Sequence, residues 1–189
     1  MTKRIAPIAE SAVGQAERRL FDLMQPGASF ADVFNQFKVL VRHPTLMERL
    51  VPYIMQITGG ALPPHDREIL ILRTLMHTRA PYLWALHVGM VAPRLGFTQA
   101  DIARVADGPG AEGWSPLQSA LIRAADDLHR DSKISDGVWA ILAEHYTELQ
   151  LMETPYLPGL SRMMSYGMSS LGVETDACVK DCPIPQPRP

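Results

Sequence analysis

Apolar residues recur three, four and seven positions apart along most of the chain, whereas the strict alternation typical of strands is almost absent. That spacing places apolar side chains on one face of an α-helix, so the chain is predicted to be all-α. Proline and glycine interrupt helices and mark their ends. The predicted N-terminal helices run from Ser11 to Leu23, from Phe30 to His43 and from Thr45 to Ile57.

Two consecutive central helices are predicted next. The first, Leu62 to Met76, begins with prolines and an acidic turn, both of which favour a helix start. It is apolar on nearly every face from Ile69 onward, so we expect it to be buried. A break at Arg79-Ala80-Pro81 precedes the second helix, which runs from Tyr82 to Leu95 and ends at Gly96.

The C-terminal half predicts further capped helices. Thr98 with Asp101 and Ser115 with Gln118 have the spacing of capping boxes. Another helix runs from Asp136 to Tyr146, and the last begins at Thr147-Glu148-Leu149-Gln150. Pro155 and Pro158 are expected to kink or split that last helix.

The chain is predicted to form one domain over residues 1–175, followed by a proline-rich tail over residues 176–189. Its 189 residues suit a single core. The prolines after Cys182 are incompatible with regular helix, so we expect an exposed, extended tail. Cys178 and Cys182 are too few for a disulfide scaffold and are interpreted as free thiols on that tail.

Composition narrows the functional classes. Apolar residues make up 47% and charged residues 20%, as in ordinary globular proteins. The formal net charge is −2 without long runs of one sign, which argues against a nucleic-acid partner. The basic N-terminus lacks an apolar signal core, and no stretch reaches the roughly 20 apolar residues that a membrane helix needs. We therefore expect a soluble, cytoplasmic protein.

Glu68 and His87 are the candidate acid/base residues. Glu68 shares a face with Leu72, Leu75 and Met76, and partial desolvation suits a carboxyl group to proton transfer. His87 stands three positions after Trp84 in an apolar setting. The alternatives are that Glu68 caps amides or pairs with an arginine, and that His87 is a hydrogen-bonded core histidine.

The segment from Leu62 to Val105 resembles the core motif of the carboxymuconolactone decarboxylase family, which includes alkylhydroperoxidase D and its relatives. The shared features are an Arg-Glu pair opening a buried helix, a Tyr-x-Trp-x-x-His run and a closing Gly-Phe-Thr-x-x-Asp-Ile segment. The resemblance extends more weakly over residues 30–173. It implies a compact alkylhydroperoxidase D-like helical fold, assembled as a trimer or hexamer, with a pocket where the two motif helices meet.

The resemblance also implies what chemistry to expect. In the peroxidase branch a Glu is followed by C-x-x-C and then His, but here the two cysteine positions are Ala80 and Leu83. Because the thiolate is the nucleophile, this difference argues against thiol peroxidase chemistry. The remaining branch implies a decarboxylase that acts on a small unsaturated lactone or carbonyl acid without metal or cofactor.

Loss of carbon dioxide beside an unsaturated lactone leaves a dienolate, which needs electrostatic stabilisation and then a proton. The hypothesis is that His87 transfers the proton and Glu68 sets its tautomer, while Tyr82, Leu83 and Trp84 bind the substrate. The alternatives are a thiol-independent isomerase or hydrolase using the same pair, and a catalytically idle relative that acts in binding or assembly.

Other signals carry less weight. The G-x-G-x-x-G match at residues 108–113 follows a helix and contains proline, so it is interpreted as a connecting loop. Asp126 and His129 have a spacing usable for metal but lack facing partners, so no metal site is predicted. Arg123 and Arg162 are candidates for holding a substrate carboxylate. Met163, Met164 and Met168 are interpreted as packing residues of a core or a subunit interface.

Overall fold

The computed structural model describes residues 3–179 and 182–185, and its described part is built from helices and loops. This confirms the predicted all-α class. After a short 3-10 turn at Glu10–Ala12, the helices are α1 (Gln15–Met24), α2 (Asn35–Leu40), α3 (Pro44–Thr58), α4 (Pro64–Thr78), α5 (Pro81–Leu86), α6 (Ala92–Arg94), α7 (Gln99–Asp107), α8 (Pro116–Asp131), α9 (Asp136–His145) and α10 (Glu148–Leu171). Within this described part, no helix is both long enough and apolar enough to cross a membrane.

Helix α4 is the centre of the fold. It packs against α8 and α10, and it also contacts α5 and α7. Ile69, Leu70, Leu72 and Leu75 are fully buried, as the unbroken apolar run predicted. A central helix shielded on several sides holds its side chains in fixed positions, so α4 is a rigid base for a site.

The first two helices begin later than predicted, whereas α3 begins at Pro44, one residue before its predicted start. Helix α1 starts at Gln15 and not at Ser11, because the Gly14 amide donates to the side chain of Glu17 and caps the helix there. The predicted helix start at Phe30 is wrong: the helix begins at Asn35. The Gln25 side chain accepts from the Phe34 amide and donates to the Asp32 carbonyl, which holds the preceding segment in turns.

The helix predicted from Tyr82 to Leu95 is continuous but changes its winding. Residues His87–Val91 form a π-helical segment between α5 and α6, with the Ala92 amide donating to the His87 carbonyl. Pro93 has no N–H to donate to the preceding turn, which is one reason why the α-helical hydrogen-bond pattern is interrupted here. Such π segments are frequent at functional sites, and this one begins at a candidate residue.

Helix α10 is not split by its prolines. It runs without interruption from Glu148 to Leu171, with Pro155 and Pro158 inside it. A capping box between Thr147 and Gln150 starts it. Its inner face buries four large side chains whose packing offsets the hydrogen bonds that proline removes: Leu157, Leu160, Met164 and Met168.

The described tail residues are not uniformly exposed, which corrects the expectation of an exposed tail. Asp176 is buried and accepts hydrogen bonds from the Tyr82 hydroxyl at 2.6 Å and the Asn35 amide at 2.7 Å. Val179 is buried against α5, Cys178 is exposed and Cys182 is half-buried. The boundary between residues 175 and 176 stays a prediction, and residues 180, 181 and 186–189 lie outside the described part.

Candidate active site

Glu68 and His87 form a hydrogen-bonded pair where α4 meets the π-helical segment. Both carboxylate oxygens of Glu68 lie 3.0 Å from Nδ1 of His87. Glu68 is only 1% exposed, whereas the His87 side chain keeps 18% of its surface. A carboxylate can only accept, so Nδ1 carries the proton and donates to it. The pairing fixes which ring nitrogen is protonated and leaves Nε2 as an acceptor.

The surroundings of the pair argue against its simplest structural roles. Within the described part of the chain, the hydrogen-bond partner of Glu68 is His87, and no arginine pairs with it. The neighbouring Arg67 instead donates from Nη1 to the carbonyls of Gly60 and Leu62. Nε2 of His87 has no hydrogen-bond partner among the described residues. The pair is therefore buried at the Glu68 carboxylate and partly exposed at the His87 ring.

His87 and Glu68 lie on the wall of a cavity of about 370 Å³. This volume falls within the roughly 300–1,000 Å³ range of small-molecule sites. Most of the wall is apolar and comes from α1 to α5, the π-helical segment, α10 and single residues beside α2 and α6: Met24, Phe34, Phe37, Ile54, Ile71, Leu75, Leu83, Leu86, Val91, Leu95, Leu160 and Met164. The cavity thus suits a small, largely apolar molecule.

Five further polar residues line this wall, and none was identified as a site residue from the sequence: Gln25, Gln36, Thr58, Arg67 and Ser161. Gln36 is only 7% exposed, and its side-chain amide makes no hydrogen bond to a described residue. Arg67 also lines the cavity, and the Ser161 hydroxyl donates to the Leu157 carbonyl. Because this amide is free to bond a molecule in the cavity, Gln36 is a candidate ligand-binding residue. The sequence offered no signal for it, because α2 also carries the polar residues Asn35 and Lys38.

Of the three residues expected to bind substrate, the structure brings only Leu83 to the cavity. Tyr82 is buried and its hydroxyl donates to Asp176, so it fastens the tail and does not face the cavity. Burial, then the hydrogen bond to Asp176, raises the pKa of Tyr82 above its ordinary value, which keeps the phenol protonated as a donor. Trp84 is 1% exposed and packs in the core. Tyr82 and Trp84 are thus not among the residues that line the cavity, and their role in substrate binding stays a prediction.

The positions that correspond to the family's two cysteines differ in location. Leu83 reaches the cavity, whereas Ala80 is fully buried before the first turn of α5. Neither Cys178 nor Cys182 lines the cavity. No sulfur nucleophile therefore stands beside the Glu68–His87 pair in the described part of the chain.

The remaining candidates lie elsewhere. Arg123 lines a shallow depression between α8 and α9, and Arg162 donates to Nδ1 of His129, so neither arginine reaches the cavity. Asp126 is bonded to Arg73 and His77. Within residues 3–179 and 182–185, no three His, Cys, Asp or Glu residues are grouped as metal ligands. Residues 108–113 form the predicted loop between α7 and α8.

Residues 44–127 match the model of the carboxymuconolactone decarboxylase family. This stretch contains α3 to α7 and most of α8, together with Glu68 and His87. The match confirms, for this part of the chain, the resemblance seen in the motif. The chain matches no curated protein sequence at a significant level.

Solved structures share the fold across nearly the whole chain. An uncharacterised peroxidase-related protein from Ralstonia eutropha, described as an alkylhydroperoxidase AhpD core, has a TM-score of 0.77 at 17% identity and 92% coverage of both chains. A peroxidase-related protein from a Silicibacter species has a TM-score of 0.77 at 14% identity, covering 93% and 94%. The debrominase Bmp8 in complex with 2,3,4-tribromopyrrole has a TM-score of 0.75 at 14% identity and 94% coverage of both. At such identities the likeness shows the alkylhydroperoxidase D-like fold alone.

Proposed function

We propose that the protein is an acid/base enzyme of the lyase type that decarboxylates a small unsaturated lactone or carbonyl acid without a cofactor. The observation that carries the proposal is the Glu68–His87 pair, which is buried at the carboxylate and open at Nε2 on an apolar cavity. A structural histidine would have both ring nitrogens satisfied. Here one nitrogen is oriented by a carboxylate and the other is left for a ligand.

The proposed step uses the polar groups on the cavity wall. The bond to the departing carboxyl group breaks, and its electron pair remains on the ring as a dienolate while carbon dioxide leaves. Protonated His87 then delivers its Nε2 proton to carbon, and the neutral ring regains a proton from water. Buried Glu68 stabilises the imidazolium, and Arg67 or Gln36 donates to the carbonyl oxygen where charge develops.

Two features of the cavity support this substrate class. Its wall is mostly apolar, and a desolvated carboxylate loses carbon dioxide more readily than a hydrated one. A protein of the same fold, Bmp8, has been crystallised with a small unsaturated ring, 2,3,4-tribromopyrrole. Debromination itself is not proposed here, because replacing bromine by hydrogen needs a reductant and Leu83 stands where a thiol would face the cavity.

The test is a panel of small unsaturated carboxylactones and β-keto acids, with carbon dioxide release and deuterium uptake from D₂O as readouts. We expect release from at least one member, deuterium at the protonated carbon, and loss of both in His87→Ala. The matched control is His145→Ala at the exposed end of α9, which should keep full activity. Isomerisation or hydrolysis without carbon dioxide would favour a thiol-independent isomerase or hydrolase. Neither binding nor turnover across the panel would favour a catalytically idle binding protein.

A further inference from the structure

The outward face of α10 carries an apolar stripe that no described part of the chain covers. Its members follow one another at intervals of three and four residues, which is the spacing of one seam along a helix. We call it the α10 stripe: Leu149, Met152, Tyr156, Gly159, Met163 and Tyr166. The five large side chains are each between 44% and 67% exposed, although all five are apolar or aromatic.

The composition of the α10 stripe is that of an interface. An exposed helix face ordinarily carries charged residues, but this one has none over roughly 26 Å of helix at 1.5 Å per residue. Tyrosine and methionine are enriched at protein interfaces, and isolated exposed apolar residues would not fall into one seam. The side chains that line the cavity project from another side of α10, so the stripe is separate from the candidate active site.

We propose that the α10 stripe binds the same stripe of a second copy of this chain, with the two α10 helices antiparallel about a two-fold axis. The area is sufficient. A side chain of this size exposes roughly 200 Å² when free, so the measured exposures amount to roughly 600 Å² per copy. Two copies would bury roughly 1,200 Å², which reaches the lower end of stable interfaces. A stripe without charge is also self-complementary, because pairing it with itself brings no like charges together.

One antiparallel register gives every member of the stripe a partner. It places Met152 against the partner's Met163 and Leu149 against the partner's Tyr166. It also places Tyr156 over the partner's Gly159, above which there is open space. Beside Gly159 lies a pocket of about 150 Å³ whose wall includes Arg162 and His129. That volume is below the roughly 300 Å³ of the smallest small-molecule sites and suits a single side chain, here the ring of Tyr156.

The experiment is charge exchange across the proposed seam, read as mass in solution by light scattering or native mass spectrometry. The wild-type chain should have twice the monomer mass or an even multiple of it. Met152→Lys and Met163→Glu should each halve that mass, because each puts like-charged or unpaired groups into an apolar seam. The double variant should restore the original mass, since antiparallel pairing sets each lysine against a glutamate.

The control is Leu46→Lys on α3, an apolar residue that is 46% exposed and lies outside the stripe, which should leave the mass unchanged. Circular dichroism should show that every variant stays helical, because the replaced side chains are exposed. A monomeric wild type, or the expected trimer unaffected by the single variants, would overturn the proposal. Failure of the double variant to reassociate would overturn the antiparallel arrangement, because parallel helices would pair lysine with lysine.

Discussion

Among its described residues the protein has two histidine–carboxylate pairs, one near each end of α4, and they are built differently. At the N-terminal end, Glu68 pairs with His87 in the absence of any described arginine partner and beside an apolar cavity. At the C-terminal end, Asp126 accepts from His77 at 2.6 Å and from Arg73 at 2.6 Å and 3.1 Å. An imidazole and a carboxylate thus pair alone at Glu68, whereas at Asp126 the Arg73 guanidinium also neutralises the carboxylate.

The presence of Arg73 is the main difference between the two pairs. Arg73 also donates to the carbonyls of Val105 and Ala106, so it ties α4 to α7 and α8 at once. Burial alone would raise the pKa of Asp126, but hydrogen bonds from His77 and Arg73 outweigh it and hold the pKa below its usual range. A carboxylate held so firmly in its charged form is suited to fastening helices and not to exchanging protons.

The largest expected difference is in turnover. Glu68→Gln should lower the turnover number by roughly 100-fold, because the amide no longer stabilises a protonated His87. Asp126→Asn should leave it unchanged. The measurement is carbon dioxide release at saturating substrate for both variants, and equal losses would show that the two pairs do not differ in role.

The second difference is in stability, where the variant of the Asp126 pair should have the larger effect. Asp126→Ala should lower the free energy of unfolding by about 3 kcal/mol, because it leaves Arg73 without its carboxylate partner. Glu68→Gln should cost less than about 1 kcal/mol, since the amide oxygen still accepts from Nδ1 of His87. Urea denaturation of both variants measures these losses. A larger loss of unfolding free energy in Glu68→Gln than in Asp126→Ala would contradict the prediction.

The pH dependence of stability should follow from the Asp126 pair. Because its pKa is lowered in the folded state, its contribution is fully present above the unfolded value of about 3.9 and is lost as pH falls through the lower folded value. Wild type should therefore lose more stability on acidification than Asp126→Asn, measured as unfolding free energy against pH. Parallel curves for the two proteins would show that Asp126 contributes nothing to this dependence.

The smallest effect concerns Tyr82. Tyr82→Phe should lower the free energy of unfolding by about 1 kcal/mol through loss of the bond to Asp176, without changing KM. Tyr146→Phe is a matched control, because the Tyr146 hydroxyl donates to Asp66 at 2.7 Å in the same manner. A raised KM in Tyr82→Phe alone would return Tyr82 to the substrate-binding role expected from the sequence.

The sequence predicted the helical class and the juxtaposition of Glu68 with His87, because both depend on strong local patterns. A buried helix, a Pro-marked break and a second helix bring residues nineteen positions apart together with few alternatives. Gln36 could not be found in this way, because it reaches the cavity from a helix whose start at Asn35 depends on side-chain contacts of Gln25. The hydrogen bond of Tyr82 could not be predicted for a similar reason: its partner, Asp176, lies 94 residues away in the segment interpreted as tail.

The most direct test of the account compares the two imidazoles. With a substrate from the panel at saturation, His87→Ala should lose roughly 10²–10⁴-fold in carbon dioxide release, and added imidazole should restore part of it by occupying the vacated space. His77→Ala should release carbon dioxide at the wild-type rate and show no response to imidazole. Wild-type turnover in folded His87→Ala would contradict the central claim that this histidine carries the proton.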